Sequence, residues 1–399
     1  MMSVTESGAT ITLPHDDTFS PDIEKQLQVP EALTFQGPQG LVLLQGCRHR
    51  GGSFAFGGYA MSQTLIDSFR LISGVHQVFD YSQINGLKTE VEGLAQWVGR
   101  TGVTTSLEYG DTNNFKGLNL RAENVETRSL GGAFNLALDT SIKYSPPQSG
   151  GEHHIEEALF ISTRTTELQG LRHHARVHRM VQDLMCLVYG QALRARALAV
   201  MRDDDQPSMI DPLGSAREWK NLYEPHFGRY VDVPTDIESR KRPMFTLADT
   251  EQGRVVEWMT DWDRWSRPTS IAVTTLFQRG TTVEADLLQV AVALEALGYE
   301  IRSQCTGRRE SLNNFNGALA AIFQRVRWDW KAILGRKHTD WSSEIRVAYI
   351  GVKHADNPMP EPRAAHRLAR EGMMVLRVWQ AHQLGVPEEV VQQYVELEH

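Results

Sequence analysis

The stretch Val283–Leu297, VEADLLQVAVALEAL, sets the architecture of the last third of the chain. Its apolar residues fall on almost every side of a 3.6-residue winding, which is the signature of a helix wrapped by other helices rather than one lying on a surface. Glu295 breaks the apolar run, and a carboxylate there needs a partner because an unpaired buried charge is costly. An arginine or lysine from a neighbouring helix is expected, with Arg346 as the candidate. Downstream, Asn314 to Leu334 repeats Phe315, Leu319, Ile322, Phe323, Val326, Trp330 and Ile333 on one face of a predicted helix. A helix over Ser342 to Asn357 follows. Pro362 to Leu384 then opens on a proline suited to a first helical turn and closes at Gly385 and Pro387, and a short helix over Pro387 to Val395 ends the series. Helices joined by such short loops make a compact up-and-down bundle, assigned to residues 266–396.

Ahead of the bundle the pattern changes. Leu33 to Phe35 and Leu41 to Leu44 flank Gly-Pro-Gln-Gly and read as a hairpin. Ser53 to Phe56, Tyr59 to Met61, the alternating Phe134, Leu136 and Leu138, and Ile155 to Ser162 add further strands, with a helical turn at Gly93 to Trp97. From Glu167 to Arg202 the apolar spacing predicts one long helix, and Asp203, Asp204, Asp205, Gln206 and Pro207 mark its end. The fold class is therefore α+β, a β-rich N-terminal domain followed by an all-α bundle. Residues 1–30 are expected to be a loose lead-in, 31–205 the β-rich domain, and 206–265 an irregular connector with one helix.

Composition bounds the function. At 399 residues the chain is long for one core, and 41% hydrophobic with 23% charged residues is ordinary for a globular protein. No apolar run is long enough to span a bilayer. The N-terminal segment lacks a basic region followed by an apolar core, so no secretory leader is expected. Cys47, Cys186 and Cys305 are odd in number and widely spaced, which fits a reducing cytoplasm. The glycines of GGSFAFGG lack the following Lys-Ser/Thr of a phosphate-cradling loop. His174 and His178 stand four apart, as helical metal ligands would, but no carboxylate or thiol completes a set, so a basic, solvated stripe is expected and neither metal nor cofactor is assigned.

A net charge of −8 argues against constitutive coating of nucleic acid. Locally the balance reverses. Between Ile301 and His338 stand Arg302, Arg308, Arg309, Arg325, Arg327, Lys331, Arg336 and Lys337 against only Glu310 and Asp329. Of these, Arg325, Arg327, Lys331, Arg336 and Lys337 are candidates for RNA phosphate contact, with Trp328 and Trp330 available for stacking or turned to the core. Directly after them comes Ser342 to Pro358, SSEIRVAYIGVKHADNP, where Arg346, Lys353, His354, Asp356 and Asn357 gather towards a helix end. A histidine that moves protons near neutral pH beside a guanidinium that binds phosphate is the minimum kit for metal-free RNA cleavage.

AVALEAL in the central helix, VKHADNP followed by a long helix ending LGV, and SFRLISGVHQVF with LAQWVGRTG in the front half together resemble the ApeA-like family of anti-phage proteins with a HEPN domain. The resemblance runs from about Leu33 onward. It implies a ribonuclease of the abortive-infection type, working as a homodimer through its bundle, triggered by a phage component and held in check by its N-terminal domain. It also implies roles for the candidate residues: His354 as acid or base, Arg346 with Lys353 as phosphate clamp, and Asp356 and Asn357 orienting the imidazole or capping the helix. In HEPN ribonucleases four to six residues separate the Arg from the His, whereas here seven do. Eight helical steps leave the two side chains about 80° apart and about 12 Å along the axis. A two-fold axis or a kink at Gly351 could reunite them; otherwise the bundle is an inactive dimerisation scaffold whose N-terminal domain binds a phage or host component.

Overall fold

In the computed structural model, residues 2–5, 8–15, 29–37, 40–53, 62–99, 101–109, 114–123, 125–145, 154–206, 219–224, 227–228, 242–306 and 315–398 are described. The expected strands across 54–61, and Arg308, Arg309 and Glu310 of the basic region, lie outside them. The described chain runs β1 (Met2–Thr5), β2 (Gly8–His15), β3 (Ala32–Gly37), β4 (Gly40–Ser53), β5 (Ser62–Val75), β6 (Gln83–Val91), α1 (Leu94–Val98), β7 (Val103–Tyr109), β8 (Phe115–Ala122), β9 (Arg128–Gly131), β10 (Leu136–Ser145), β11 (His154–Gly170), α2 (Leu171–Tyr189), β12 (Ala195–Met201) and β13 (Trp219–Tyr223). Helices follow: α3 (Arg254–Thr260), α4 (Trp262–Phe277), α5 (Val283–Thr306), α6 (Phe315–Arg325), α7 (Trp330–Leu334), α8 (His338–Lys353), α9 (Pro362–Gln383) and α10 (Glu388–Glu398).

The α+β reading holds: a large antiparallel sheet comes first and helices follow. The sheet runs β1-β2-β5-β13-β12-β6-β11-β10-β9, with the β3–β4 hairpin joined through β4 to β5, and β7–β8 forms a separate two-stranded ribbon. Three expectations need correction. Residues 1–30 are not a loose lead-in throughout, because β2 pairs with β5 from Ala9↔Ser68 to His15↔Ser62 and carries β1 on its outer edge. The helix expected over 167–202 is shorter. Gly170 ends β11, and α2 stops at Gly190, whose left-handed φ of 65° closes the helix with Gln191 N–H donating to the Cys186 carbonyl. The chain then returns as β12 against β6. Nor is 206–265 merely a connector: β13 sits between β5 and β12, so the sheet extends past Asp205.

The buried histidines explain why α2 lies on the sheet as it does. His174 and His178 are fully enclosed, not solvated. The Thr163 hydroxyl stands 2.8 Å from both His174 Nδ1 and His178 Nε2, and the Thr89 hydroxyl 2.6 Å from His178 Nδ1. Burial holds both imidazoles neutral, with His174 lowered to about 4 and His178 to about 3. One apolar core then runs from the sheet through α2 into the helices, since Leu184, Met185 and Val188 belong to the same cluster as Trp265, Leu294 and Trp379. Arg377 of α9 is buried and donates from Nε to the Leu187 carbonyl (2.7 Å) and from Nη2 to the Val188 carbonyl (2.9 Å), while Gln380 Nε2 donates to the Leu184 carbonyl. The C-terminal end of α2 is thus stitched to the bundle by groups that satisfy its exposed carbonyls.

Within the bundle α5 is central as its sequence implied, packing against α4, α6, α8 and α9. At Gly298 the backbones of α5 and α6 come so close that a Cβ would lie 2.4 Å from Ala318 Cα. The helix expected over Asn314–Leu334 is split. It breaks after Arg325, and Asp329 restarts the chain as α7 by accepting the Lys331 and Ala332 N–H groups.

Candidate phosphate-binding groove

The last helices present two polar sites along α8, one at each end. The first is a groove between α6 and α8 with a volume of about 360 Å³, lined by Asn316, Ala320, Phe323, Gln324, His338, Thr339, Ser342, Ser343 and Arg346. The spacing explains the lining. His338, Ser342 and Arg346 are four apart and advance by about 40° per step, so they form one slowly turning stripe on α8. On α6, Asn316, Ala320 and Gln324 are likewise four apart and, with Phe323 three beyond Ala320, form the opposite wall. Phe323 floors the groove. Its ring lies 4.8 Å from that of His338 and is itself packed against Trp330 and Trp341. A guanidinium, an imidazole, three hydroxyls and two carboxamides therefore converge on a cleft that opens at the positive end of a helix.

An ion network fixes the rotation of α8. Glu371 of α9 accepts from Arg336 Nη2 (2.6 Å) and from Trp341 Nε1 (3.1 Å), and Arg367 pairs with both Glu344 and Glu371. Arg336 also pairs with Glu344 at 3.2 Å. With Glu344 held towards α9, the neighbouring stripe of His338, Ser342 and Arg346 is left facing α6. The same network redefines Arg336, whose charge is neutralised inside the chain instead of being offered to a ligand. Arg325, Arg327, Lys331 and Lys337 are exposed. Arg325 directly follows the groove residue Gln324, and Lys337 directly precedes His338. The tryptophans are core groups: Trp330 is buried with its Nε1 donating to the Val326 carbonyl, and Trp328 packs edge-on against His382.

The second site lies at the other end of α8. The helix stops at Lys353, and His354 is its C-cap in extended conformation, with its N–H donating to the Ile350 carbonyl. His354, Lys353 and Asp356 are exposed and Asn357 is half-buried. Lys353 Nζ stands 3.4 Å from the Tyr349 hydroxyl, and Asn357 Nδ2 donates to Asp356 Oδ1. The partner of Glu295 is also here. It accepts from the Tyr349 hydroxyl at 3.2 Å, so a tyrosine backed by Lys353 takes the role expected of Arg346. Burial, followed by the Glu295 charge, raises the Tyr349 pKa and keeps that hydroxyl a donor.

Arg346 is thereby released into the groove, where the histidine it shares is His338, eight residues upstream, and not His354. Sequence reading looked only downstream of the arginine and passed over His338. The signal available was the i, i+4, i+8 series His338, Ser342, Arg346. Among the described residues, no group of three or more His, Cys, Asp or Glu could hold a metal ion, and no helix is long and apolar enough to cross a membrane.

A family model described as ApeA N-terminal domain 1 matches residues 5–262. The match takes in every strand of the sheet from β2 onward, together with α1, α2 and α3, and ends where α4 begins. No curated protein and no solved structure matches the chain. Matched over well more than half its length, the chain belongs to the ApeA-like family of anti-phage proteins.

Proposed function

We propose that this anti-phage protein acts through its helical region as a metal-independent endoribonuclease, and that the α6/α8 groove is where the RNA phosphodiester binds. One observation carries the reading: Arg346 and His338 line the same small cleft, with hydroxyls and carboxamides around them. A guanidinium presents a fork of N–H donors matched to phosphate oxygens, and it gains most as charge builds on those oxygens in the transition state. An imidazole in the same cleft can take the proton from the ribose 2′-hydroxyl. The oxygen so freed attacks the adjacent phosphorus, and the 5′-oxygen leaves with a proton. The products are a 2′,3′-cyclic phosphate and a 5′-hydroxyl. Arg325, Arg327, Lys331 and Lys337 extend the positive surface along which the strand would lie.

His354 remains the second histidine of the proposal. It stands about 12 Å from Arg346 along the helix and would meet an arginine only across a two-fold axis, in a homodimer formed through the bundle. The N-terminal domain, stitched to α9 through Arg377, is the restraint, a phage component is the trigger, and the cytoplasm is the compartment. The competing reading, an inactive scaffold that only dimerises, draws support from the internal pairing of Lys353 and Asn357 beside His354.

Three exposed single substitutions in the full chain, Arg346→Ala, His338→Ala and His354→Ala, separate these readings by RNA cleavage. Arg346→Ala is expected to lower cleavage by 10²-fold or more. Loss with His338→Ala places acid–base chemistry in the groove; loss with His354→Ala alone places it across the dimer axis. Cleavage unchanged in all three variants, or absent from wild type during phage infection, rejects the nuclease.

A further inference from the structure

The two walls of the α6/α8 groove differ in chemistry. Arg346 and His338 stand on α8, whereas the lining residues of α6 carry no charge and include two carboxamides, Asn316 and Gln324, with the small Ala320 midway between them. The two helices run antiparallel along the groove. The rings of Phe323 and His338 lie 4.8 Å apart and those of Phe315 and Tyr349 4.9 Å apart, so Gln324 sits at the His338 end and Asn316 at the Arg346 end. Eight residues separate the two carboxamides, about 12 Å along the axis of α6.

Both carboxamides are exposed and, among the described residues, neither is hydrogen-bonded. By contrast Gln289, Gln380 and Gln392 of the neighbouring helices donate to Gln278, to the Leu184 carbonyl and to Glu388. A carboxamide holds a donor and an acceptor side by side in one plane, so it can engage the edge of a nucleobase with two hydrogen bonds, and it has no charge with which to bind phosphate. That edge is open in an unpaired strand. Packed helices lie about 8–10 Å apart, and the furrow between two of them admits a single strand and excludes a duplex.

We propose that the α6 wall reads the bases of the strand held in the groove, Asn316 and Gln324 each pairing with an unpaired adenine. The inference rests on the groove being the RNA site. Adenine is the usual partner of a carboxamide: its N6 amino group donates to the side-chain oxygen, and its N7 accepts from the side-chain nitrogen. Guanine presents two acceptors on that edge and is matched by a guanidinium, and the groove's guanidinium, Arg346, belongs to the other wall. The strand lies with its phosphates along α8 and its bases towards α6. Selectivity for unpaired adenine therefore comes from α6, and the affinity for the backbone comes from α8.

The test is binding of fluorescein-labelled 2′-O-methyl oligomers of adenine, uracil and cytosine to the full chain, read by anisotropy. These probes lack the 2′-hydroxyl nucleophile and stay intact whether or not the protein cuts RNA. Wild type is expected to bind the adenine oligomer roughly tenfold more tightly than the other two. Asn316→Ala with Gln324→Ala should bring the adenine affinity down to the common level and leave the uracil and cytosine affinities unchanged. Both positions are exposed, so the melting temperature of the double variant is expected to stay at the wild-type value. Equal affinities for the three oligomers in wild type, or a preference that the double variant keeps, overturn the inference. Arg346→Ala tests the groove itself and should weaken all three oligomers alike. No binding of any oligomer, or binding that Arg346→Ala leaves unchanged, refutes the groove as the RNA site and the inference with it; binding that needs Arg346 but shows no adenine preference refutes the base-reading wall alone.

Discussion

Lowering the pH should destabilise the N-terminal domain through two particular histidines. His174 and His178 are enclosed between α2 and the sheet, bonded to the Thr163 and Thr89 hydroxyls, with burial depressing them to about 4 and about 3 from the usual 6.5. A group depressed in the folded state leaves stability at its full value above the unfolded pKa, and stability is lost as pH falls below it, because only the unfolded chain takes up the proton. Between pH 7.5 and 5.5 the unfolded state gains nearly one proton at each histidine while the folded state gains almost none. That costs about 1.3 kcal/mol per histidine, or roughly 2.5 kcal/mol for the pair. For a domain of this size the shift in Tm is about 5–10 °C. The assay is thermal unfolding of wild type and of His174→Gln, His178→Gln at intervals over that range, read as the slope of Tm against pH. Other groups contribute to both slopes, so the difference isolates the pair. The double variant will start less stable, since its core is altered, but should show a visibly flatter slope. Identical slopes would refute the neutral, buried assignment.

Other outcomes follow from the same packing. Gly298→Ala drives a methyl into the Ala318 backbone and should cost about 1–3 kcal/mol, read by urea unfolding; because α6 is one wall of the groove, RNA affinity should fall with it. Arg377→Met keeps the alkyl stem but removes the donors to the Leu187 and Val188 carbonyls, and a loss of about 2–3 kcal/mol with increased amide exchange at the end of α2 is expected. If the N-terminal domain restrains the bundle through this contact, Arg377→Met also raises toxicity on expression; unchanged toxicity in a folded variant removes Arg377 from the restraint.

The helical half was largely legible because its signals are local. Pro362 at the first turn and Leu384-Gly385 at the end bound α9 to within a residue of the reading, and the all-round apolar composition of α5 correctly made it central. The sheet was less so. Ala195–Met201 continues the apolar spacing of α2 and reads as helix; only Gly190, with its left-handed conformation, marks the break. His174 and His178 looked solvated because nothing in their own spacing shows that α2 folds back onto the preceding strand β11, which brings Thr163, and onto the distant β6, which brings Thr89. At the candidate site, Arg346 and the exposed bases stand out by residue type, but the convergence of Arg346 and His338 on one cleft depends on how Glu344 and Glu371 orient α8. The β7–β8 ribbon has no counterpart in the sequence reading, although VTTSLEY alternates as a strand does.

The most direct measurement is cleavage of a radiolabelled single-stranded RNA by purified, EDTA-treated full-length protein, beside the same sequence made entirely of 2′-deoxynucleotides. The account predicts that the RNA is cut to fragments ending in 2′,3′-cyclic phosphate, that the deoxy strand stays whole, and that Arg346→Ala abolishes the cutting. Cleavage of the deoxy strand, or activity that disappears with EDTA and returns with a divalent metal, would contradict it.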